Sequence, residues 1–190
     1  MIKFICFIRF DTQPRCRYNV IHMLDAFSIR PARQEDAATI KRMVRAADLD
    51  PSSLHWPNFL VAERGGRVLG VGQVKPYAGA RELGSLVVLK PYRGRGIGSA
   101  IVRALIEREQ DDLFLLCQDR LESYYAQFGF RRAGLRDLRG VVKLKYMFAQ
   151  MFRALFRVRV IAMRRTSPPP RLRHPSPSPD VQFRRERGRG

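Results

Sequence analysis

The chain has 190 residues, 45% of them hydrophobic and 10% aromatic, with 36 basic and 17 acidic side chains that leave a formal net charge of +19. That composition suits one globular core with ends to spare and excludes disorder along the whole chain, and no apolar run approaches the roughly 18 to 20 residues that a bilayer crossing needs. The charge is uneven: residues 28–136 hold 18 basic against 12 acidic side chains, while residues 137–190 hold 14 against three, which weakens a reading of the whole surface as nucleic-acid-binding.

Cys6, Cys16 and Cys117 are too few and too widely spaced for a disulfide framework, and the isolated His22, His55 and His174 give no metal-ligand spacing. A reducing cytoplasmic setting and no metal are the expectations. The opening run MIKFICFIRF carries Lys3 among apolar residues and has no small-residue cleavage pattern, so residues 1–27 read as a dispensable extension ahead of the domain, with a strand or a targeting remnant such as an organelle transit peptide as the alternative.

A short alternating run from Phe27 to Arg30 ends at Pro31. Ala37, Ile40, Val44 and Ala47 then recur at helical spacing, with Glu35 and Asp36 in the first turn, where the helix dipole favours negative charge. After a polar loop, the runs FLVAER and RVLGVGQVKPY are joined by Gly65-Gly66, the signature of a β-hairpin. A strand is expected from Arg81 to Leu89, and a helix in RGRGIGSAIVRALIERE with Ile97, Ile101, Leu105 and Ile106 on its apolar stripe. LFLLC reads as a buried strand with Cys117 as a structural thiol. LESYYAQF reads as a short helix with Leu121, Tyr124, Tyr125 and Phe128 on one face, and GFRRAG turns into a short strand. Leu138, Val141, Val142, Lys145, Phe148, Ala149, Phe152 and Leu155 predict an amphipathic helix over 138–155, followed by a last strand in VRVIAM. From Thr166 to Gly190 the proline-, serine- and arginine-rich tail cannot bury enough apolar surface to order itself, and its RRERGRG end suits at most a weak anionic partner.

The chemistry concentrates where a strand becomes a helix. In Arg93-Gly94-Arg95-Gly96-Ile97-Gly98 the unpaired N–H groups and the positive dipole end of the helix point at one spot, glycine lets an anion approach the main chain, and arginine can add charge-assisted hydrogen bonds. This is neither a G-x-G-x-x-G fingerprint nor a GK[ST] loop. The run ELGSLVVLKPYRGRGIGSAIV, with its R-x-x-G-x-G loop, and the Tyr-x-x-x-Gly-Phe segment YYAQFGF some thirty residues later together resemble the GNAT superfamily of acetyl-CoA-dependent N-acetyltransferases, over about Ser28 to Arg165.

The resemblance implies an α/β architecture: a central twisted, mostly antiparallel sheet with one splayed strand pair, flanked by helices, in a domain spanning residues 28–165. It implies that the backbone of Leu86, Val87 and Val88 pairs with the pantetheine arm of acetyl-CoA as an added strand would. It implies too that the amides of Arg93, Gly94, Arg95, Gly96, Ile97, Gly98 and Ser99 hold the pyrophosphate. Tyr125, four residues before Gly129, matches the acid that protonates the departing thiolate, with Tyr124 as its rival. Glu82, eleven residues before Arg93, matches a strand-borne base, since an amine acceptor is mostly ammonium at neutral pH and must lose a proton before attack. Pro91 falls one place late, and Asp119 and Glu122 stand where many members have Asn and Ala. The long helix before the last strand is expected to shape the acceptor groove or a homodimer contact. A second reading keeps the fold without turnover, as a sensor or interaction module that binds acyl-CoA. His55 and Trp56 are candidates to line the acceptor groove or to cap the core.

Overall fold

The computed structural model describes residues 27–51, 53–151 and 159–167, so the extension expected over 1–27 (bar Phe27), most of the tail and the end of the predicted 138–155 helix lie outside the described residues. Strand β1, Ser28–Pro31, leads through a 3-10 turn at Gln34–Asp36 into helix α1, Ala37–Ala46, which buries Ile40, Met43 and Val44. Strands β2, Phe59–Arg64, and β3, Arg67–Tyr77, form the expected hairpin. Both of its turn residues, Gly65 and Gly66, have positive φ (55° and 76°), which suits the two-residue turns whose twist matches paired strands. Strand β4, Ala80–Val88, follows; helix α2, Ile97–Arg108, then crosses to strand β5, Leu113–Gln118. Helix α3 spans Glu122–Ala126, strand β6 Arg131–Arg132, helix α4 Gly140–Met151 and strand β7 Val160–Arg165.

Among the described residues seven strands lie in the order β1-β2-β3-β4-β5-β7-β6, and every neighbouring pair is antiparallel except β4 with β5. One face carries the core built on α2 and α3, with Ile97, Ile101, Leu105, Tyr125 and Phe130 against β2–β5. The other face carries two smaller clusters, one under α1 (Ile40, Val44, Phe59, Val71) and one under α4 (Phe114, Leu138, Val142, Ala162). Helix α2 lies close on β3 because Gly72 has no side chain: a Cβ there would stand 2.8 Å from Ile101 Cγ2 and 3.2 Å from Leu86 Cδ1.

One local expectation is extended and another is corrected. Asp36 does more than meet a helix dipole: it is buried, accepts hydrogen bonds from the Arg30 guanidinium (2.7 Å) and from the Arg33 amide (2.7 Å), and so ties α1 to β1. In α4 the predicted inward stripe is rotated. Leu138 at its approach and Val142 are buried, but Val141 and Phe148 are exposed, as are Leu144, Met147 and Met151. A helix apolar around most of its circumference does not select a face by periodicity, and the polar contacts of Lys145, described below, fix which side meets the sheet.

Candidate active site

Strands β4 and β5 pair only at Arg81 with Leu113 and Glu82 with Phe114, and then diverge. The backbone of Leu83 to Val88 therefore has a strand partner on its β3 side and no ladder on its β5 side. A bulge sharpens the departure. Between the pairs Gln73–Gly84 and Val71–Val87 the β4 strand holds one extra residue, and Ser85 takes the left-handed region at φ 50°. Leu86 packs toward α2 and Val87 toward α1, as alternation requires, so the side chains of this stretch serve the core while its outer backbone edge faces the gap.

The gap opens beside the loop from Arg93 to Gly96, which enters α2. Gly94 and Gly96 stand at φ 76° and 78°, and a Cβ at either would meet no atom within 4 Å, so glycine is required there by backbone conformation alone. Gly98 is different: a Cβ there would lie 3.0 Å from the Tyr124 hydroxyl and 3.6 Å from Val88. The first turn of α2, the end of β4 and α3 thus converge, with amides at the N-terminus of a twelve-residue helix. Of the two arginines, Arg93 folds back so that its Nε donates to the Val88 carbonyl at 3.0 Å, and the Arg95 guanidinium lies 5.8 Å from the centre of the Tyr92 ring. The Arg93 side chain is thus turned back onto the end of β4, and the loop presents main-chain amides at the start of α2.

Tyr124 and Tyr125 are separated by depth. Tyr125 is 1% exposed, its ring edge-on to Phe130 and Tyr124 within the α2 core. Tyr124 is half-buried, against Phe128 and the start of α2. Glu82 is buried on the opposite sheet face, at the closed end of the gap.

Sequence reasoning missed what surrounds Glu82. Lys145, from α4, donates from Nζ to Glu82 Oε2 at 2.9 Å and to the Tyr77 hydroxyl at 2.8 Å, and lies 3.8 Å from an Asp50 carboxylate oxygen. Lys75, opposite Glu82 in the β3–β4 register, reaches the same Asp50 at 3.5 Å. Two ammonium groups and two carboxylates thus form a buried cluster of no net charge that joins β3, β4, α4 and the segment after α1. Burial opposes the Lys145 charge, but Glu82 and Tyr77 outweigh it and hold the ammonium above its ordinary pKa. Beside the cluster, Gln73 donates to Ser85 at 2.9 Å at the bulge, and Gln73 Oε1 is buried without a hydrogen-bond partner. A lysine at an inward helical position and another inside an apolar strand were the available signals.

Other candidates sit elsewhere. Cys117 is buried with its Sγ 3.9 Å from Met163 Sδ, Trp56 packs on the α1 core, and His55 is exposed. Glu122 takes up Arg132 in two hydrogen bonds of 2.6 Å. A cavity of about 620 Å³ among α1, the β2–β3 hairpin and the end of β4, lined in part by Arg30, Arg33, Arg42 and Arg67, contains none of the predicted site residues.

The mixed α/β fold is similar to that of solved acetyltransferases. N-acetylglutamate synthase from Neisseria gonorrhoeae, complexed with coenzyme A and N-acetyl-glutamate, superposes with a TM-score of 0.60 at 22% identity over 74% of this chain. The match spans only 35% of the synthase's length. A Mycobacterium tuberculosis protein in complex with CoA and NLQ gives 0.58 at 19% identity, covering 73% of this chain and 98% of that one. Ard1 from Thermoplasma volcanium gives 0.54 at 15%, covering 75% and 99%. No curated protein sequence matches the chain. Residues 55–132, from the approach to β2 through β6, match the family model for the acetyltransferase (GNAT) domain.

Proposed function

We propose that the chain transfers an acetyl group from acetyl-CoA directly to an amine. The observation that carries this reading is the β4–β5 gap, which has an unladdered strand edge along it, a helix N-terminus beside its mouth and a buried carboxylate at its closed end. The pantetheine arm pairs with the backbone of Leu86 to Val88, and the pyrophosphate rests on the amides from Arg93 to Ser99. The thioester then sits near the bulge, where a β4 N–H stabilises the oxyanion of the tetrahedral intermediate. Glu82 takes the proton of the acceptor's ammonium, and Tyr125 protonates the leaving thiolate. Because a thiol with a pKa near 8.5 leaves tolerably unaided, that acid contributes on the order of tens- to hundreds-fold. Coenzyme A bound in the solved relatives supports the cofactor.

Residues 28–165 form the unit that carries the activity, with the flanking segments dispensable, in a cytoplasmic setting; among the described residues no helix is long and apolar enough to cross a membrane. The test is release of free thiol from acetyl-CoA across amino acids, polyamines, aminoglycosides and peptide N-termini. Release above background with any of them supports the transferase; tight CoA binding with no release favours the sensor.

A further inference from the structure

The Lys145 ammonium occupies an unusual place for a structural ion pair. Glu82 is the last β4 residue paired with β5, so the Lys145–Glu82–Tyr77 contacts lie at the closed end of the gap. If Glu82 is the base, an amine awaiting acetylation stands against that carboxylate, and a primary amine of the chain itself already stands there, 2.9 Å from Oε2. An amine already held at the base needs only the thioester to arrive in the gap, so the thioester's encounter with an acceptor becomes intramolecular, which is among the largest accelerations a protein supplies.

We propose that Lys145 is an acceptor in its own right and that the chain acetylates it from acetyl-CoA. The inference rests on reading the β4–β5 gap as the acetyl-CoA site. The ammonium passes one proton to the Glu82 carboxylate, and the Nζ lone pair attacks the thioester carbonyl. An N–C bond forms, the C–S bond breaks, and CoA leaves as a thiolate that takes up the second proton lost from nitrogen, while the first passes from Glu82 to solvent; no oxidant or further reactant enters. The product, a neutral acetamide, removes one of the two cations of the cluster. Asp50 keeps Lys75 at 3.5 Å, but the tie from α4 to Glu82 is lost and the acceptor position opens to other amines.

Exposure separates this transfer from chemical acetylation. Lys41, Lys90 and Lys143 are exposed, whereas the Lys145 side chain is 10% exposed, so a reagent that needs no site modifies Lys145 last. The experiment incubates the full chain with acetyl-CoA, maps acetyl groups by peptide mass spectrometry, and runs acetic anhydride in parallel. Expected is acetylation of Lys145 ahead of the three exposed lysines by about tenfold or more. The rate constant should be independent of protein concentration and slowed by added CoA, whereas the anhydride follows exposure. Lys145→Arg, which keeps a cation for Glu82, should lose this mark and retain CoA binding by calorimetry. If acetyl-CoA labels the exposed lysines first although CoA binds, the inference falls and the transferase reading stands. If CoA does not bind at all, both fall.

Discussion

Replacing Gly96 by alanine isolates the backbone's part in the anion loop. Gly96 caps α2 at φ 78°, ψ −4°, and a methyl group there would meet no atom within 4 Å, so the substitution adds no clash and removes no contact. What remains is the cost of a left-handed conformation for an L-residue, about 1–2 kcal/mol. That cost has two outlets. If the loop keeps its shape, folding stability drops by about that amount. If the loop relaxes, the amides of Arg95 to Ser99 turn from their common focus and CoA affinity falls about five- to thirtyfold, the same free energy expressed as binding. The assay pairs a urea denaturation curve with a calorimetric CoA titration on the same preparation. Gly96→Asn is the control, because asparagine visits this region more readily and should lose less in both measurements. An alanine variant equal to the parent in midpoint and in affinity would refute the claim that the loop's conformation matters.

Glu82→Gln should lower kcat by two orders of magnitude or so while leaving CoA affinity unchanged; an unaltered pH–rate profile in that variant would remove Glu82 from the base's role. Tyr125→Phe should lower kcat with little change in CoA affinity; a loss confined to Tyr124→Phe would transfer the acid's role to the half-buried tyrosine beside Gly98. Gly72→Ala should destabilise the fold by about 1–3 kcal/mol in chemical denaturation, since its Cβ would meet Ile101 at 2.8 Å. Asp36 titrates below its usual 3.8, held down first by the Arg30 hydrogen bond and further by the Arg33 amide, with burial opposing. Its contribution to stability is therefore complete above about pH 4 and lost as pH falls further, so Asp36→Asn should be less stable than the parent at neutral pH and flatten the acid limb of the stability curve.

The elements of this domain were legible because local chemistry and the fold agree. The Gly65-Gly66 turn, the stripe of Ile97, Ile101 and Leu105, and the run LFLLC each allow one satisfactory placement. Failure came where a pattern is degenerate or a contact is long-range. Helix α4 is apolar on nearly all sides, so Val141 and Phe148 were assigned inward and lie outward. The cluster around Glu82 joins residues 50, 75, 82 and 145, and no local period announces a contact between side chains 63 positions apart. Glu82 stands out in the sequence only through the resemblance, eleven residues before Arg93, and its setting is fixed by a lysine from the far end of the domain. The glycine loop was read correctly as a turn into a helix, whereas the inward fold of Arg93 onto Val88 depends on where β4 ends.

The most direct test is the structure of the full chain with coenzyme A bound. The account predicts pantetheine amides hydrogen-bonded to the β4 backbone between Leu86 and Val88, and the pyrophosphate within reach of the amides from Arg93 to Ser99. Coenzyme A lodged instead in the arginine-lined cavity beside α1, with the β4–β5 gap closed, would contradict it.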